Sequence, residues 1–215
     1  MARSVKGKRR YDSSRRRAQA AETREEILAA AQRLFEEQGY AGTTMAAIAS
    51  EAGVALKTVY IAFETKSGLL RALWNRLLRG DRDEVPVAEQ PWYREMLDEP
   101  DPERQLRLNA RNARAAKVRM GAILEVIRSA ALAEPELAAL WARIEDDFYE
   151  NQRRVIASVA EKGALTRGLD ISSGTDILWT LNHPSVWQLL VRKRGWSPDR
   201  FEKWLADSFC QQLLR

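Results

Sequence analysis

The chain has 215 residues, of which 45% are hydrophobic, and it carries a formal net charge of +5 and a single cysteine, Cys210. This length and composition suffice to bury a core larger than one small module needs, and one cysteine excludes an intramolecular disulfide framework. No stretch has the apolar length of a signal peptide or of a membrane span of about 20 residues, so we expect a cytoplasmic protein without a membrane partner.

Positive charge is concentrated at the amino end. Residues 1–24 contain nine Lys or Arg against Asp12 and Glu22, which leaves the rest of the chain slightly acidic. We predict that residues 1–21 form a disordered basic arm that follows a nucleic-acid backbone or enters a minor groove. The side chains expected to contact DNA include Arg15, Arg16 and Arg17. The alternative is a solvated tail that only aids solubility.

The first predicted helix covers residues 23–38 and ends at Gly39. Its apolar positions recur at helical spacing and form one face. They are Ile27, Leu28, Ala31, Leu34 and Phe35.

Two short helices separated by a tight turn follow. Thr44 is placed to cap a helix over residues 45–52, and Gly53 supplies the left-handed backbone that a sharp turn requires. A second helix over 56–63 would place Val59 and Ala62 against the first, in the arrangement of a helix-turn-helix. Val54 would plug the turn. The packing face predicted for the first helix consists of Ala46, Ile48, Ala49 and Ala52.

The remaining pattern is helical throughout. A helix over 66–79 buries Leu69, Leu70, Leu73, Trp74 and Leu77, and the Pro- and Asp-rich residues 80–101 form a domain connection. Five further helices are predicted over 102–131, with a possible break at Gly121, and over 135–162, 172–181, 184–193 and 198–214. Strand-like alternation is absent, so the sequence predicts an all-α fold.

Residues 22–79 resemble the DNA-binding domain of the TetR family of bacterial transcriptional regulators. The residues that carry the resemblance are Phe35, Gly39, Thr43, Thr44, Ile48, Ala49, Gly53, Val54, Thr58, Val59, Tyr60, Phe63, Lys66 and Leu69. The alternative is an ordinary helical hairpin. The resemblance implies that the chain binds double-stranded operator DNA through Thr44, Met45, Leu56, Lys57, Thr58, Tyr60, Ile61 and Lys66. Lys66 also begins a helix, where the dipole favours a phosphate, and for Tyr60 partial burial is the alternative.

The sequence departs from the family pattern at the start of the recognition helix. Ala55 replaces the usual hydroxyl cap, at a cost of about 1 kcal/mol. Leu56, Ile61 and Ala62 are apolar where relatives often carry basic, aromatic or histidine side chains. We therefore expect base reading through thymine methyl groups, Lys57 and DNA shape.

The second half resembles the C-terminal domains of a TetR subgroup over about residues 100–213, chiefly in LWTLNHPSVWQLLVRKRGWSPDRFEKWLAD. This resemblance implies that residues 80–215 form a helical-bundle domain for effector binding and dimerisation. Dimerisation is also a geometric need, because two recognition helices must lie about 34 Å apart to enter successive major grooves. The predicted interface residues are Trp187, Leu190, Val191, Trp204, Leu205, Ser208 and Phe209.

An effector pocket is predicted from aromatic, aliphatic and thioether side chains at helical spacing. They are Met120, Leu124, Ile127, Trp141, Ile144, Phe148, Trp179 and His183. Such a pocket favours an apolar or aromatic compound that releases a repressor from its operator. The alternatives are that these side chains are core packing and that the regulator takes no small-molecule effector.

Enzymatic chemistry has little support. His183 is the sole histidine and is placed to cap the helix that Pro184 begins, and no residues have the spacing of a metal site or a phosphate loop. Consecutive carboxylates at 145–147 point to different helix faces. Arg111, Asn112 and Arg114 are candidates for an anionic effector, although a solvated helix face is the simpler interpretation. The sequence therefore predicts a regulator without cofactor or metal, with a helical-bundle enzyme as the alternative.

Overall fold

The computed structural model describes residues 13–79 and 87–215. Within these ranges the regular secondary structure consists of helices, apart from an isolated β-bridge between Leu165 and Leu214. The amino-terminal helices are α1 (Ser13–Gly42), α2 (Met45–Glu51), α3 (Leu56–Phe63) and α4 (Lys66–Arg79). The carboxy-terminal helices are α5 (Pro91–Asp98), α6 (Pro102–Ala130), α7 (Pro135–Glu161), α8 (Ile171–Asn182), α9 (Pro184–Trp187, continued by the π-helical Gln188–Lys193) and α10 (Pro198–Leu213). The predicted all-α class is confirmed.

The structure corrects the prediction in three places. Helix α1 begins at Ser13, so residues 13–21 are helical rather than part of a disordered arm, whereas residues 1–12 lie outside the described residues. Ala and Arg, which dominate residues 15–21, have high helix propensity, and this outweighs their lack of apolar periodicity. The predicted connection contains helix α5, which buries Tyr93 and Met96. Gly121 does not break α6, which is continuous to Ala130.

Helix starts follow the proline and cap signals. Pro102 and Pro198 occupy the first helical turn, where the missing amide costs nothing, and they follow Asp101 and Ser197, whose side chains accept from the amides of the new helix. Gly39 has φ 69°, which interrupts α1 where the sequence predicted its end.

The first hydrophobic core joins the amino-terminal helices to the larger domain. It contains buried side chains of α1 to α4 and continues into the second half of α6 and the first turns of α7. The members from these two helices are Ile123, Leu124, Val126, Ile127, Ala130, Leu137 and Leu140. The two parts of the chain therefore share one packed interior.

The second core lies within the carboxy-terminal domain. It unites α5, the first half of α6, the second half of α7 and helices α8 to α10. Its fully buried side chains include Leu106, Ile156, Leu178, Phe201 and Phe209. Helices α6 and α7 thus run through both cores. Because each core is tightly packed, a displacement of either helix in one core changes the packing in the other.

Among the described helices, no single one combines the length and apolar character needed to cross a membrane. Only α2 and α3 taken together, with a bend of 113° between them, reach that length and composition.

Candidate nucleic-acid interface

Helices α2 and α3 form the helix-turn-helix. The hydroxyl of Thr44 accepts from the amide of Ala47 at 3.1 Å, which confirms the predicted cap. The chain direction changes by 113° between the two helices, within the range for this motif. Ala49 and Val59 are 4% and 0% exposed, because the small alanine allows the helices to pack closely.

The turn is closed by backbone hydrogen bonds. Gly53 has φ 65°, and its amide and that of Val54 donate to the carbonyls of Ser50 and Ala49. Val54 is half-buried against the first core, as the sequence predicted. The predicted packing face of α2 is correct for Ile48, Ala49 and Ala52, whereas Ala46 is exposed and Ala47 packs in its place. The turn thus fixes α3 relative to α2.

Helix α3 presents an exposed face. Leu56, Tyr60 and Ile61 are 41%, 48% and 74% exposed, and Lys57 is exposed beside them. Thr58 is half-buried. Large apolar side chains on a solvent-facing helix next to a lysine are typical of a surface that contacts a partner. The start of α3 lacks a side-chain cap at Ala55, as predicted.

Arg24 holds the carboxy end of α3 in place. Its guanidinium donates to the carbonyl of Ala62 at 2.8 Å and lies 4.1 Å from the centre of the Phe63 ring. From the sequence, Arg24 was assigned only to the positive charge of residues 1–24. A long-range contact of this kind has no sequence signal except the position of an arginine on the polar side of α1.

Two residues predicted to contact DNA have structural roles instead. Met45 is 7% exposed and packs in the first core, so it lies on the buried face of α2. The ammonium of Lys66 donates to the carbonyls of Tyr40 and Thr43, at 2.8 and 3.0 Å, and lies 4.1 Å from the Tyr40 ring centre. Lys66 therefore satisfies backbone acceptors after the Gly39 kink rather than extending toward a duplex.

A strained turn links α3 to α4. Glu64 has φ 60° and ψ −54°, and the amide of Thr65 donates to the carbonyl of Phe63 at 2.6 Å. These are the features of a γ-turn that side-chain-bearing residues rarely adopt. Thr65 then caps α4 by accepting from the amide of Gly68 at 2.9 Å. The end of the exposed helix is therefore sharply defined.

A polar contact ties the helix-turn-helix unit to α7. The hydroxyl of Ser67 donates to Glu136 at 2.6 Å, and Ser67 is 8% exposed. Burial, reinforced by the nearby carboxylates of Glu134 and Glu136, raises the pKa of Tyr40 to about 12. The start of α4 and the start of α7 thus meet in a partly desolvated junction.

The structure divides the predicted pocket residues into two groups. Leu124 and Ile127 are buried in the first core, with Met120, Trp141 and Ile144 packed against it. Phe148, Trp179 and His183 are half-buried farther along α7 and α8. The packing role of the first group is established by these contacts, whereas pocket lining stays a prediction for all eight.

Two polar candidates for effector contact are already engaged. His183 caps α9, because its Nδ1 accepts from the amide of Ser185 at 3.2 Å. Arg114 lies 2.9 Å from Asp199 and 2.9 Å from Glu202, at a surface groove of about 280 Å³ between α6 and α10. Because its charge is matched by two carboxylates, Arg114 is a poor candidate for an anionic effector.

The predicted dimer interface is wrong at three positions. Trp187, Leu205 and Phe209 are 5%, 0% and 0% exposed in a single chain, so they pack in its own second core. The helical spacing of the apolar residues in α9 and α10 was predicted correctly. These apolar faces pack into the second core of the same chain rather than facing a partner. The interface residues that remain accessible are Leu190, Val191, Trp204 and Ser208.

The described residues outside this interface offer no metal site, because no group of three His, Cys, Asp or Glu side chains converges there. A helix-turn-helix with an exposed second helix, packed onto a larger helical domain, is an architecture found among helical DNA-binding regulators.

Comparison with known proteins agrees with this class. Residues 27–73 match the family described as bacterial regulatory proteins, tetR family. The chain is 43% identical over 56 residues to the HTH-type transcriptional regulator AcrR of Shigella flexneri, and 42% identical over 62 residues to the HTH-type transcriptional repressor BepR of Brucella suis. These alignments span 26% and 29% of this chain, and 26% and 30% of the two relatives.

Solved structures extend the likeness to the whole fold. A transcriptional regulator from Saccharomonospora viridis in complex with choline has a TM-score of 0.71 at 21% identity, covering 91% of this chain and 99% of that one. NalD of Pseudomonas aeruginosa, a repressor of a multidrug efflux pump, has a TM-score of 0.67 at 23% identity, covering 91% and 98%. The tetR family match therefore rests on residues 27–73, and the solved structures show that the whole chain shares their fold.

Proposed function

We propose that this protein is a transcriptional repressor that binds operator DNA as a dimer and leaves it when a small effector binds the carboxy-terminal domain. The observation that carries the proposal is the exposed face of α3, where Lys57 stands among Leu56, Tyr60 and Ile61. This face is rigidly supported by α2 and by Arg24. A helix held in this way has the size and rigidity to enter a major groove.

Each exposed group suits one part of a duplex. Lys57, Tyr60 and Thr58 can donate to phosphates, and so can Thr44, whose hydroxyl proton is not used by the cap at Ala47. The side chains of Leu56 and Ile61 suit thymine methyl groups. Sequence preference would therefore depend on A·T content and duplex shape more than on bidentate hydrogen bonds.

The basic end of α1 supports DNA binding from a second side. Arg15, Arg16 and Arg17 are exposed near the start of α1, and Arg17 lies about 10 Å along the helix axis from Arg24. Since Arg24 contacts the end of α3, this basic end lies on the same side of the unit as the recognition helix. We infer that it follows the DNA backbone and makes affinity depend steeply on salt.

The dimer is proposed to form through the accessible residues of α9 and α10. Leu189 is 53% exposed, Trp196 and Trp204 are half-buried with their rings 6.0 Å apart, and Arg200 lies 4.0 Å from the Trp196 ring centre. Aromatic side chains and arginine are enriched in protein interfaces. Removal of this surface by Leu189→Asp with Trp204→Ala should leave a monomer in light scattering.

Effector control is proposed to act through the shared cores. Because α6 and α7 pass through both cores, an effector that separates them in the larger domain also moves the contacts of α4 with Glu136. A coupling free energy of about 1 to 3 kcal/mol would lower DNA affinity about 5- to 150-fold. NalD, which is a repressor, and the choline-bound regulator of the same fold support this mode of action.

The proposal is tested by retention of the purified full chain on nonspecific duplex DNA across a salt series. We expect binding at low salt that falls steeply as salt increases. A Lys57→Ala/Tyr60→Ala variant should be retained less, and Arg143→Ala, which removes an exposed charge from α7, should behave as wild type. A chain that passes through the column at every salt concentration contradicts the proposal.

A further inference from the structure

A polar layer separates the two hydrophobic cores. On α6 the second core ends at Ala113 and the first begins at Ile123, and Lys117 lies between them. On α7 the corresponding gap between Leu140 and Val155 holds the buried Gln152. Asn182, the last residue of α8, is 3% exposed and completes the layer. Three buried polar side chains from three helices therefore meet where α6 and α7 pass from one core to the other.

Lys117 is a buried cation. It is 9% exposed, and its ammonium donates to the side-chain carbonyl of Asn182 at 2.5 Å. The aromatic ring of Phe201 lies 5.9 Å away. In the described part of the chain no carboxylate pairs with Lys117, and burial lowers its pKa to about 7. An ammonium in such a place is costly unless a negative charge joins it.

The neighbouring amides do not supply that charge. Asn182 donates its own amide hydrogen to the side-chain carbonyl of Gln152 at 3.2 Å, and Gln152 in turn faces the carbonyl of Phe148 at 3.5 Å. The side-chain amides of Asn182 and Gln152 therefore hydrogen-bond in series, and neither carries a charge. Within residues 13–79 and 87–215, only one of the three N–H groups of Lys117 has a hydrogen-bond partner.

A second unpaired donor lies beside this layer. The indole Nε1 of Trp179 is buried and has no hydrogen-bond partner among the residues that the structure describes. The Trp179 ring packs edge-on against His183 at 5.0 Å, and His183 follows Asn182 in the chain. His183 is itself half-buried, and its Nε2 lies 3.7 Å from the carboxylate of Glu145. Burial lowers the pKa of His183, the Glu145 carboxylate opposes this shift, and the ammonium of Lys117 adds to it. The groups left unsatisfied at this place are all hydrogen-bond donors.

We propose that the layer around Lys117 binds a carboxylate carried on an apolar body. The carboxylate would pair with the ammonium of Lys117 and accept from the indole of Trp179. The apolar body would pack against the aromatic and aliphatic side chains at the edges of the two cores. This inference rests on the proposed function, because it names the chemical class of the effector and locates it between the cores.

A single carboxylate fits better than a phosphate dianion. One ammonium offsets one negative charge, and Arg114, another cation of α6, is already paired with Asp199 and Glu202. A second uncompensated charge would carry the full cost of burial. The surroundings are apolar, since Leu178 and Ile123 are fully buried and Trp187 packs against Phe201 at 5.0 Å.

The test uses three acids, phenylacetate, octanoate and 2-naphthoate, each paired with its own amide. Binding to the purified full chain is measured as an increase in the midpoint temperature of thermal unfolding. This increase grows with the ratio of ligand concentration to dissociation constant. We expect at least one acid to stabilise the wild type with at least ~10-fold higher affinity than its amide. In Lys117→Met this preference should disappear, and in Trp179→Phe it should shrink.

Lys203→Met is the matched control, because it removes an exposed lysine from α10. It should keep the preference for the acid. The inference is overturned if no acid shifts the wild type, if acid and amide shift it equally, or if Lys117→Met keeps the preference. Retention on duplex DNA is measured on the same samples, so loss of DNA binding counts against the proposed function and a missing acid preference counts only against this inference.

Discussion

The hydroxyl of Ser67 donates to the carboxylate of Glu136 across a distance of 2.6 Å, joining the first turn of α4 to the first turn of α7. Ser67 is 8% exposed whereas Glu136 is exposed, so the bond is partly shielded from water. A hydrogen bond to a charged group in such a place stabilises a protein by about 2 kcal/mol. We predict that Ser67→Ala lowers the free energy of unfolding by about this amount in urea denaturation.

Ser129→Ala is the control for this prediction. Ser129 is exposed, and its hydroxyl donates to Val126 of its own helix at 3.0 Å. The substitution should change stability by less than about 0.5 kcal/mol. Equal effects of the two substitutions would mean that the contact with Glu136 contributes nothing.

Lys57 provides the most direct test of a phosphate contact. Because its side chain is exposed, Lys57→Ala should leave the unfolding midpoint nearly unchanged. We predict weaker binding to every duplex and a decrease of about one in the slope of log affinity against log salt. Fluorescence anisotropy with labelled duplexes measures both. An unchanged salt slope would place Lys57 outside the interface.

The turn after α3 stores conformational strain at Glu64. Its φ of 60° is accessible to glycine without steric cost, so Glu64→Gly should stabilise the protein. The expected gain is about 1 kcal/mol, because the relieved strain exceeds the added freedom of the unfolded chain. Glu64→Ala removes the same carboxylate but keeps the strain, so it should give no gain. A gain of equal size for both variants would attribute the effect to charge.

The uncapped start of α3 offers another gain. Ala55 has the extended backbone of a cap residue but no side-chain acceptor. Ala55→Ser should therefore raise the free energy of unfolding by about 1 kcal/mol. Ala46→Ser, on the exposed side of α2, should instead be neutral or slightly destabilising. Thermal denaturation of the two variants compares them directly, and equal midpoints would rule out a capping effect.

Lys117 predicts an unusual dependence of stability on pH. Burial lowers its pKa from 10.5 to about 7, so between these values the unfolded chain binds more protons than the folded one and stability increases with pH. The destabilisation is greatest below pH 7 and is lost toward pH 10.5. Relative to Lys117→Met, the wild type should gain about 1 kcal/mol per pH unit within this range. If the free energies of unfolding of the wild type and Lys117→Met changed in parallel with pH, the burial of a charge at Lys117 would be contradicted. Lys203→Met, the control, should change in parallel with the wild type.

Much of the helix-turn-helix was predictable because its signals are local. The bounds of α3 and α4, the cap at Thr44 and the turn at Gly53 all follow from neighbouring residues. The helix starts at Pro102, Pro135 and Pro198 were predictable for the same reason.

Tertiary contacts decided the rest. Met45 and Phe209 lie on helices whose period was correct, but the sequence does not say which neighbour covers each face. Lys66 was expected to face DNA, and it instead satisfies carbonyls at a kink more than 20 residues earlier in the chain. The position of Lys117 between the cores also depends on how three distant helices meet.

Selection of bound sequences from a pool of random duplexes, using the full chain at low salt, tests DNA reading by α3 most directly. We predict recovery of a site with two related halves about 10 base pairs apart, one for each recognition helix of a dimer. The same selection with Ile61→Glu, which places a charge on the most exposed apolar residue of α3, should recover no such site. Recovery of an unenriched pool by the wild type, or of the same site by Ile61→Glu, would contradict DNA recognition through this helix.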